Sequence, residues 1–243
     1  MIRAVIFDLD NTLVDDYESS RLAIARACET AAELSPGLSA AELGEAYWTV
    51  SLEVWNGVEA RIRAGESMAA INGAEFRREC WSKALAACGV TEAAVAEAVV
   101  ESYAHWRDEL LPLFPETEET LEALRSSVKL AIVTNGTADT HRRKLRRLGF
   151  EELFDCCVVA GEFGPGKPDP AIFLHAAALL GVRPEECLVV GDNVEADVAG
   201  AKAAGMGAVW FNREGLPRPT EGVQPDHEIK GLREVVGLVR GEA

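Results

Sequence analysis

This sequence predicts a doubly wound α/β fold: a mainly parallel, Rossmann-like sheet with a block of α-helices inserted after its first strand. Three observations predict it. Short, near-continuous apolar runs (Ala4–Phe7, Leu130–Val133, Cys156–Ala160 and Cys187–Val190) suit parallel strands buried on both faces. Helix-like segments separate the later runs, as in a sheet with helices on both sides. Each run also ends in polar, chemically capable residues. Ligands of such sheets sit beyond the carboxyl ends of the strands, so this topology gathers those residues in one place.

The first run leads into Asp8-Leu9-Asp10-Asn11-Thr12. Two carboxylates two residues apart on a strand face the same side, about 6–7 Å apart. One could attack a substrate while the other handles a proton, or both could hold a divalent cation through oxygen. A surface turn is the other reading of these residue types. From about Tyr17 to Asp108 the chain reads as helices rich in Ala, Glu and Arg. The breaks fall at Ser35-Pro36-Gly37, Gly65, Asn72-Gly73 and Cys88-Gly89. Ser39 before Ala40-Ala41-Glu42 fits a capping box, and the Thr91 hydroxyl is expected to cap the helix that follows. Three or four helices then form one unit over residues 16–108, and residues 1–15 with 109–243 form the other. The connections are Val14–Asp16 and Leu110–Pro115. Trp48, Trp55, Trp81 and Trp106 fall in the insertion and are expected mostly to pack it, with one or two free to line a pocket.

The sheet pattern resumes with a helix over Thr117–Ser126, then the strand that ends at Thr134-Asn135-Gly136. A strand-to-helix turn there offers free N–H groups to an anion. A helix cap at Thr137 or a plain turn at Asn135-Gly136 explains the same residues structurally. The run His141-Arg142-Arg143-Lys144-Leu145-Arg146-Arg147 reads as a solvated helix face, with a docking surface as the lesser alternative. After Cys156–Ala160 comes a Gly/Pro-rich loop carrying Lys167-Pro168-Asp169-Pro170. Gly161 to Lys167 matches the start of a nucleotide-binding P-loop, but Pro168 stands where the metal-binding hydroxyl is needed, which excludes it. The run Cys187–Val190 leads to Gly191-Asp192-Asn193 and then Asp197. Asp192, at the strand end, is the better metal ligand. Asp197 either orients Asp192 or Lys167, or serves as a helix N-terminal acid, and Glu195 is expected in solvent. Gly207–Phe211 reads as a fifth strand, His227–Ile229 as a short edge strand and Leu232–Val239 as a closing helix.

The chain has 243 residues and a net charge of -16. Such a charge repels a polyanion, so nucleic acid is not an expected partner. A small phosphorylated molecule is admitted only where a cation and a lysine reverse the local potential. The six cysteines form no C-x-x-C and no Cys/His pairing, which argues against zinc and for small buried hydrophobes in a reducing compartment. The N-terminal stretch reads neither as a signal peptide nor as a membrane span. The expectation is a cytoplasmic protein without a membrane partner, monomeric or homodimeric.

The aspartate pair, the Thr134 turn, Lys167 before proline and Gly191-Asp192 with Asp197 follow one another as the four motifs of the haloacid dehalogenase-like hydrolases do. The chain resembles that superfamily over its whole length. Leu130–Gly136, Val189–Gly205 and Val209–Gly215 look most like the branch that contains the N-acylneuraminate-9-phosphatases. The resemblance implies Mg²⁺-dependent hydrolysis of a small phosphate monoester, a sugar phosphate rather than a nucleoside monophosphate, through an aspartyl-phosphate. It implies Asp8 as nucleophile and Asp10 as the acid that protonates the leaving oxygen and then takes a proton from water. Thr134 and the Asn135 backbone N–H would bind the phosphoryl group, and Lys167 would balance its charge. Asp8, Asp192 and the backbone carbonyl of Asp10 would hold the ion. The helical insertion would be a cap that closes over the site and selects the substrate. A carboxylate of ordinary pKa is already ionised at pH 7, so the nucleophile would need no base. One alternative is a metal-independent 2-haloacid dehalogenase, which has no need of a second acid at Asp10. The other is a non-catalytic binding module on the same fold, against which the intact Asp8, Asp10, Thr134, Lys167 and Asp192 argue.

Overall fold

The computed structural model describes residues 1–218 and 220–242. Contacts divide the chain into two compact units: Asp16–Pro112, and Met1–Asp15 together with Leu113 onward.

The inserted unit is helical: α1 (Asp16–Leu34), α2 (Ala40–Arg63), α3 (Gly73–Ala87) and α4 (Ala93–Glu109), with a single 3₁₀ turn at Met68–Ala70. Apolar side chains spaced along each helix meet in a core that includes Ile24, Leu43, Trp81, Leu85 and Val99. Tyr47 stacks on Trp81 at 4.0 Å and lies 5.5 Å from Tyr103. Trp81 is fully buried, whereas Trp48 is exposed and stacks on Tyr17. Ser39 caps α2 by accepting from the Glu42 N–H, and Asn72 caps α3 by accepting from Ala74 and Glu75. The expected Thr91 cap does not form. Glu92 takes the N-cap position in extended conformation, and its carboxylate accepts from the Thr91 N–H instead. Arg107 near the end of α4 donates to Asp16 at 2.6 Å and to Ser19, both at the start of α1. The two ends of the insertion are therefore fastened together.

The sheet unit has six strands: β1 (Ala4–Phe7), β2 (Lys129–Thr134), β3 (Cys156–Val159), β4 (Cys187–Gly191), β5 (Gly207–Phe211) and β6 (His227–Ile229). Their order is β3-β2-β1-β4-β5-β6, and every neighbouring pair is parallel. The sheet is thus parallel throughout, and all residues of β1 and β4 are buried, as their unbroken apolar runs require. The helices are α5 (Thr117–Arg125), α6 (Ala138–Arg147), the short α7 (Phe150–Leu153) and α8 (Ala160–Phe163), α9 (Pro170–Leu180), α10 (Ala199–Ala203) and α11 (Glu234–Arg240). One π-type turn, Val194–Val198, precedes α10. Winding reverses at β1, with β2 on one side and β4 on the other, which makes the ends of β1 and β4 the switch point of the sheet. Val14 pairs with Leu113, the Phe114 N–H donates to the Leu13 carbonyl and the Thr117 hydroxyl donates to the same oxygen. The strand leaving for the insertion is thereby tied to the one returning from it.

All six cysteines are free, with Cys28, Cys80 and Cys187 buried. Burial pushes the Cys28 and Cys157 thiols up to about 12, which leaves them unreactive at neutral pH. No helix among the described residues is long and apolar enough to cross a membrane.

Trp81 tests the helical core. Its side chain is buried and its indole N–H has no hydrogen-bond partner. Trp81→Ala should destabilise the protein by about 3–5 kcal/mol. Trp81→Phe removes the orphan donor and should cost far less. Urea unfolding followed by far-ultraviolet circular dichroism checks both, and equal losses would contradict the packing described.

Candidate active site

Asp8 directly follows β1, and its N–H donates to the Val190 carbonyl, so the ladder with β4 continues one residue past the strand. Its side chain is almost wholly buried, and Oδ1 lies 2.6 Å from the Lys167 ammonium. The same ammonium lies 2.6 Å from Asp197 Oδ1. Asp8, Asp192 and Asp197 each offer a carboxylate oxygen within 4.8 Å of the others. One buried cation among three carboxylates leaves an excess of negative charge.

The electrostatics follow from that imbalance. Burial pushes the Asp8 carboxyl well above its usual range; Lys167 opposes the rise and the Asp197 and Asp192 charges add to it. Burial and the Asp197 charge push Asp192 up to about 6. Asp8 is therefore not the ordinary carboxylate that the sequence suggests. Burial alone would weaken the Lys167 ammonium, but Asp197 and Asp8 outweigh it and hold that group above its usual range. Asp8 and Asp192 offer hard oxygen donors in a pocket of surplus negative charge. That donor set fits a divalent cation such as Mg²⁺. Asp197 is already engaged, with Oδ1 on Lys167 and Oδ2 accepting from the Asn193 N–H.

Local sequence explains how these groups approach so closely. A Cβ on Gly191 would fall 2.2 Å from the Asp197 carboxyl, so only glycine at the end of β4 admits that side chain. Asp197 itself projects from the π-type turn, which Asn193 caps by accepting from the Ala196 N–H. Lys167 is set by Asn135. The Asn135 side chain accepts from the Lys167 N–H at 2.7 Å and donates to the Lys167 carbonyl at 2.8 Å, a two-bond clamp between the β2 turn and the loop before α9. Asp169 caps α9 through the Ala171 N–H, with Pro170 in the first turn. Thr134 closes β2 and is buried.

Asp10 departs from the expectation of two carboxylates aligned on one strand. The strand ends at Phe7, and the chain turns at Asn11, whose φ is 61°, with the Asn11 N–H donating to the Val14 carbonyl. The Asp10 carboxylate lies outside the three-acid group. It meets Lys144, whose Nζ is 2.8 Å from both oxygens, and His141, whose Nε2 is 3.1 Å from Oδ2. Burial would raise the Asp10 carboxyl, but Lys144 and His141 outweigh it and hold it well below the usual range. The basic run read as a solvated face is thus divided. His141 and Lys144 are buried, and Arg142 crosses to Glu162 and the Cys157 carbonyl. Arg146 and Arg147 are exposed. Charge counting hid this division. The signal that could have revealed it is spacing, since residues three apart share one helix face.

A family model described as haloacid dehalogenase-like hydrolase matches residues 2–205. Phosphoserine phosphatase of Thermus thermophilus is 46% identical over 125 residues, a match covering 51% of this chain and about half (50%) of that protein. Other relatives match over nearly their full length. Glyceraldehyde 3-phosphate phosphatase of Methanopyrus kandleri is 35% identical, covering 99% of this chain and 98% of the relative. Mouse (Mus musculus) N-acylneuraminate-9-phosphatase is 30% identical, covering 98% and 94%. Among solved structures, a 2-haloacid dehalogenase from Pseudomonas syringae aligns with a TM-score of 0.72 at 32% identity, over 100% of both chains. The magnesium-bound putative hydrolase YfnB of Bacillus subtilis aligns with a TM-score of 0.76 at 25% identity, over 98% of both.

The crowding of acids generates a stability prediction. A carboxyl whose pKa is raised on folding is destabilising once ionised, and the penalty grows as pH rises from the unfolded pKa to the folded one. Asp192→Asn should therefore raise the melting temperature of the chelator-treated protein by a few degrees at pH 7.5. The gain should shrink as pH falls below about 6, the folded value of Asp192, and be gone below about 4, where the unfolded carboxyl is protonated as well. A melting temperature at pH 7.5 equal to or below that of the parent would contradict this charge balance.

Proposed function

The chain belongs to the haloacid dehalogenase-like hydrolases, and we propose that it is a Mg²⁺-dependent phosphatase acting on small phosphate monoesters through an aspartyl-phosphate at Asp8. The observation that carries this reading is the buried Asp8–Lys167 contact at the switch point of the sheet, with Asp192 beside it and a second carboxylate, Asp10, two residues on. Asp8 Oδ1 is held by Lys167, which leaves Oδ2 to attack phosphorus as the bond to the leaving oxygen breaks. Lys144 and His141 hold Asp10 ionised in the free site, so it would take up a proton as the phosphate dianion enters. It gives that proton to the leaving oxygen and then takes one from the water that cleaves the Asp8–phosphate bond, releasing inorganic phosphate. Thr134 and the Asn135 N–H bind phosphoryl oxygens beyond β2, and Lys167 balances charge there. Asp8, Asp192 and the Asp10 carbonyl would hold Mg²⁺, which when bound supplies the positive charge that the phosphoryl oxygens and the crowded acids require.

The full-length relatives that act, by name, on glyceraldehyde 3-phosphate and on an N-acylneuraminate 9-phosphate favour a sugar phosphate over a nucleoside monophosphate. The sheet unit is assigned the chemistry and the inserted helical unit the selection of substrate. The similar 2-haloacid dehalogenase structure supports a second reading, metal-free dehalogenation. Asp10 weighs against it, because halide departs without a proton.

Thorough chelation should abolish turnover of phosphate esters, and Mg²⁺ should restore it. Ca²⁺ should inhibit, because its larger and looser coordination misplaces the nucleophile. Asp8→Asn should lose activity by several orders of magnitude while retaining the parent's circular dichroism spectrum. Full phosphatase activity without metal would contradict the Mg²⁺ dependence, and metal-free turnover of a 2-haloacid with none of phosphate esters would favour the dehalogenase reading. The role of Asp10 has its own measurement. Asp10→Asn should slow hydrolysis of an alkyl phosphate by about 10²–10⁴-fold and that of p-nitrophenyl phosphate, whose leaving group needs no proton, much less. Equal losses on both esters would remove Asp10 from the acid role.

A further inference from the structure

The phosphatase reading uses Asp10 but assigns nothing to the two side chains that grip it. His141 and Lys144 project from one face of α6, which begins just past the β2 turn, and both are buried. Their side chains are 8% and 4% exposed, whereas the Asp10 side chain is 24% exposed. Two buried side chains thus reach one part-buried carboxylate. The sequence is arranged to allow it. A Cβ on Gly136 would lie 1.8 Å from His141 Cε1, so the imidazole occupies the space that any other residue would fill.

The contacts leave an uneven carboxylate. An ionised carboxylate has about four lone-pair sites. Lys144 takes one on each oxygen and His141 takes a second on Oδ2. Among the described residues no donor takes the fourth site, on Oδ1. Nothing in a helix or a sheet requires this arrangement, and its effect is to present one chosen lone pair of Asp10 in a fixed direction.

We propose that His141 and Lys144 are positioning residues for Asp10, holding its carboxylate so that Oδ1 alone exchanges the proton with the leaving oxygen and with water. This rests on the phosphatase reading. Neither residue touches the substrate. They act by removing the rotational freedom of Asp10, which otherwise has to be lost in each turnover. Lys144 supplies a bidentate hold, and His141 breaks the symmetry between the two oxygens.

The test compares kcat on an alkyl phosphate and on p-nitrophenyl phosphate for the full-length Mg²⁺-loaded enzyme. The variants are Lys144→Met, Lys144→Arg, His141→Ala, Asp10→Asn and the double variant Asp10→Asn/Lys144→Met. Lys144→Met should lower the alkyl-to-aryl ratio of kcat by about 10- to 100-fold, part of the full value of a general acid, with KM for both esters nearly unchanged. Lys144→Arg, which keeps a charged donor, should recover part of that ratio. His141→Ala should lower it too, which keeps the test open if Lys144→Met does not fold. In the Asp10→Asn background, Lys144→Met should add little further change, because the group it positions is gone. Equal losses on both esters in Lys144→Met and His141→Ala, or a full additive loss in the double variant, would overturn the positioning role. If Asp10→Asn itself leaves the ratio unchanged, it is the acid role of Asp10 that fails, and the proposal falls with it.

Discussion

The buried ammonium of Lys167 organises the sheet unit. It sits 2.6 Å from Asp8 and 2.6 Å from Asp197, side chains on different elements, and it is nearly sealed from water. A charge buried in that way is costly unless every partner is in place, so the surrounding structure is shaped around keeping them in place. Gly191 opens room for Asp197, Asn135 clamps the lysine backbone from the β2 turn, and Asp8 rides on the β1–β4 ladder. Removing any one of these leaves a buried charge short of a partner. That rigidity also suits chemistry, since groups held beforehand need not be ordered when the substrate arrives.

The two aspartates of the first motif occupy opposite electrostatic settings. Asp8 is raised by burial and by neighbouring acids, while Asp10 is held by Lys144 and His141 and lowered. This order is the reverse of a pair in which the raised carboxyl serves as the acid and the ordinary one as the nucleophile, so the proposed proton role of Asp10 requires an entering phosphate to offset the hold of Lys144 and His141.

Much of this was readable from the chain alone, and for a definite reason. Ala4–Phe7, Leu130–Val133 and Cys187–Val190 are buried on both faces, so their apolar runs are unbroken and each stops at the carboxyl end of its strand, where Asp8, Thr134 or Gly191-Asp192 begins. The Ser39 cap was legible because a cap depends on residues next to it in sequence, whereas Asn72 was legible only as a break and not as the cap it forms. What escaped depends on contacts across the fold. The Asn135 clamp joins residues 32 apart and the Lys144–Asp10 pair residues 134 apart, and charge alone, read without helical spacing, does not separate a buried lysine from exposed arginines in the run of seven. Thr91 failed on a finer scale: the helix began one residue later, and Glu92 took the cap position.

The paired entry and exit of the insertion also bear on how the chain reaches its fold. Ala4 pairs with Lys129 across the whole inserted unit, a long-range contact of the kind that slows folding because a large loop must close first. The helices of that unit contact mainly one another, and Arg107 fastens its last helix to Asp16 at its first. Once they have packed, the loop between β1 and β2 is already closed, and the first strand meets its neighbour as though the two were close in sequence. The salt bridge at the base of the insertion thus shortens the effective chain on which the sheet assembles.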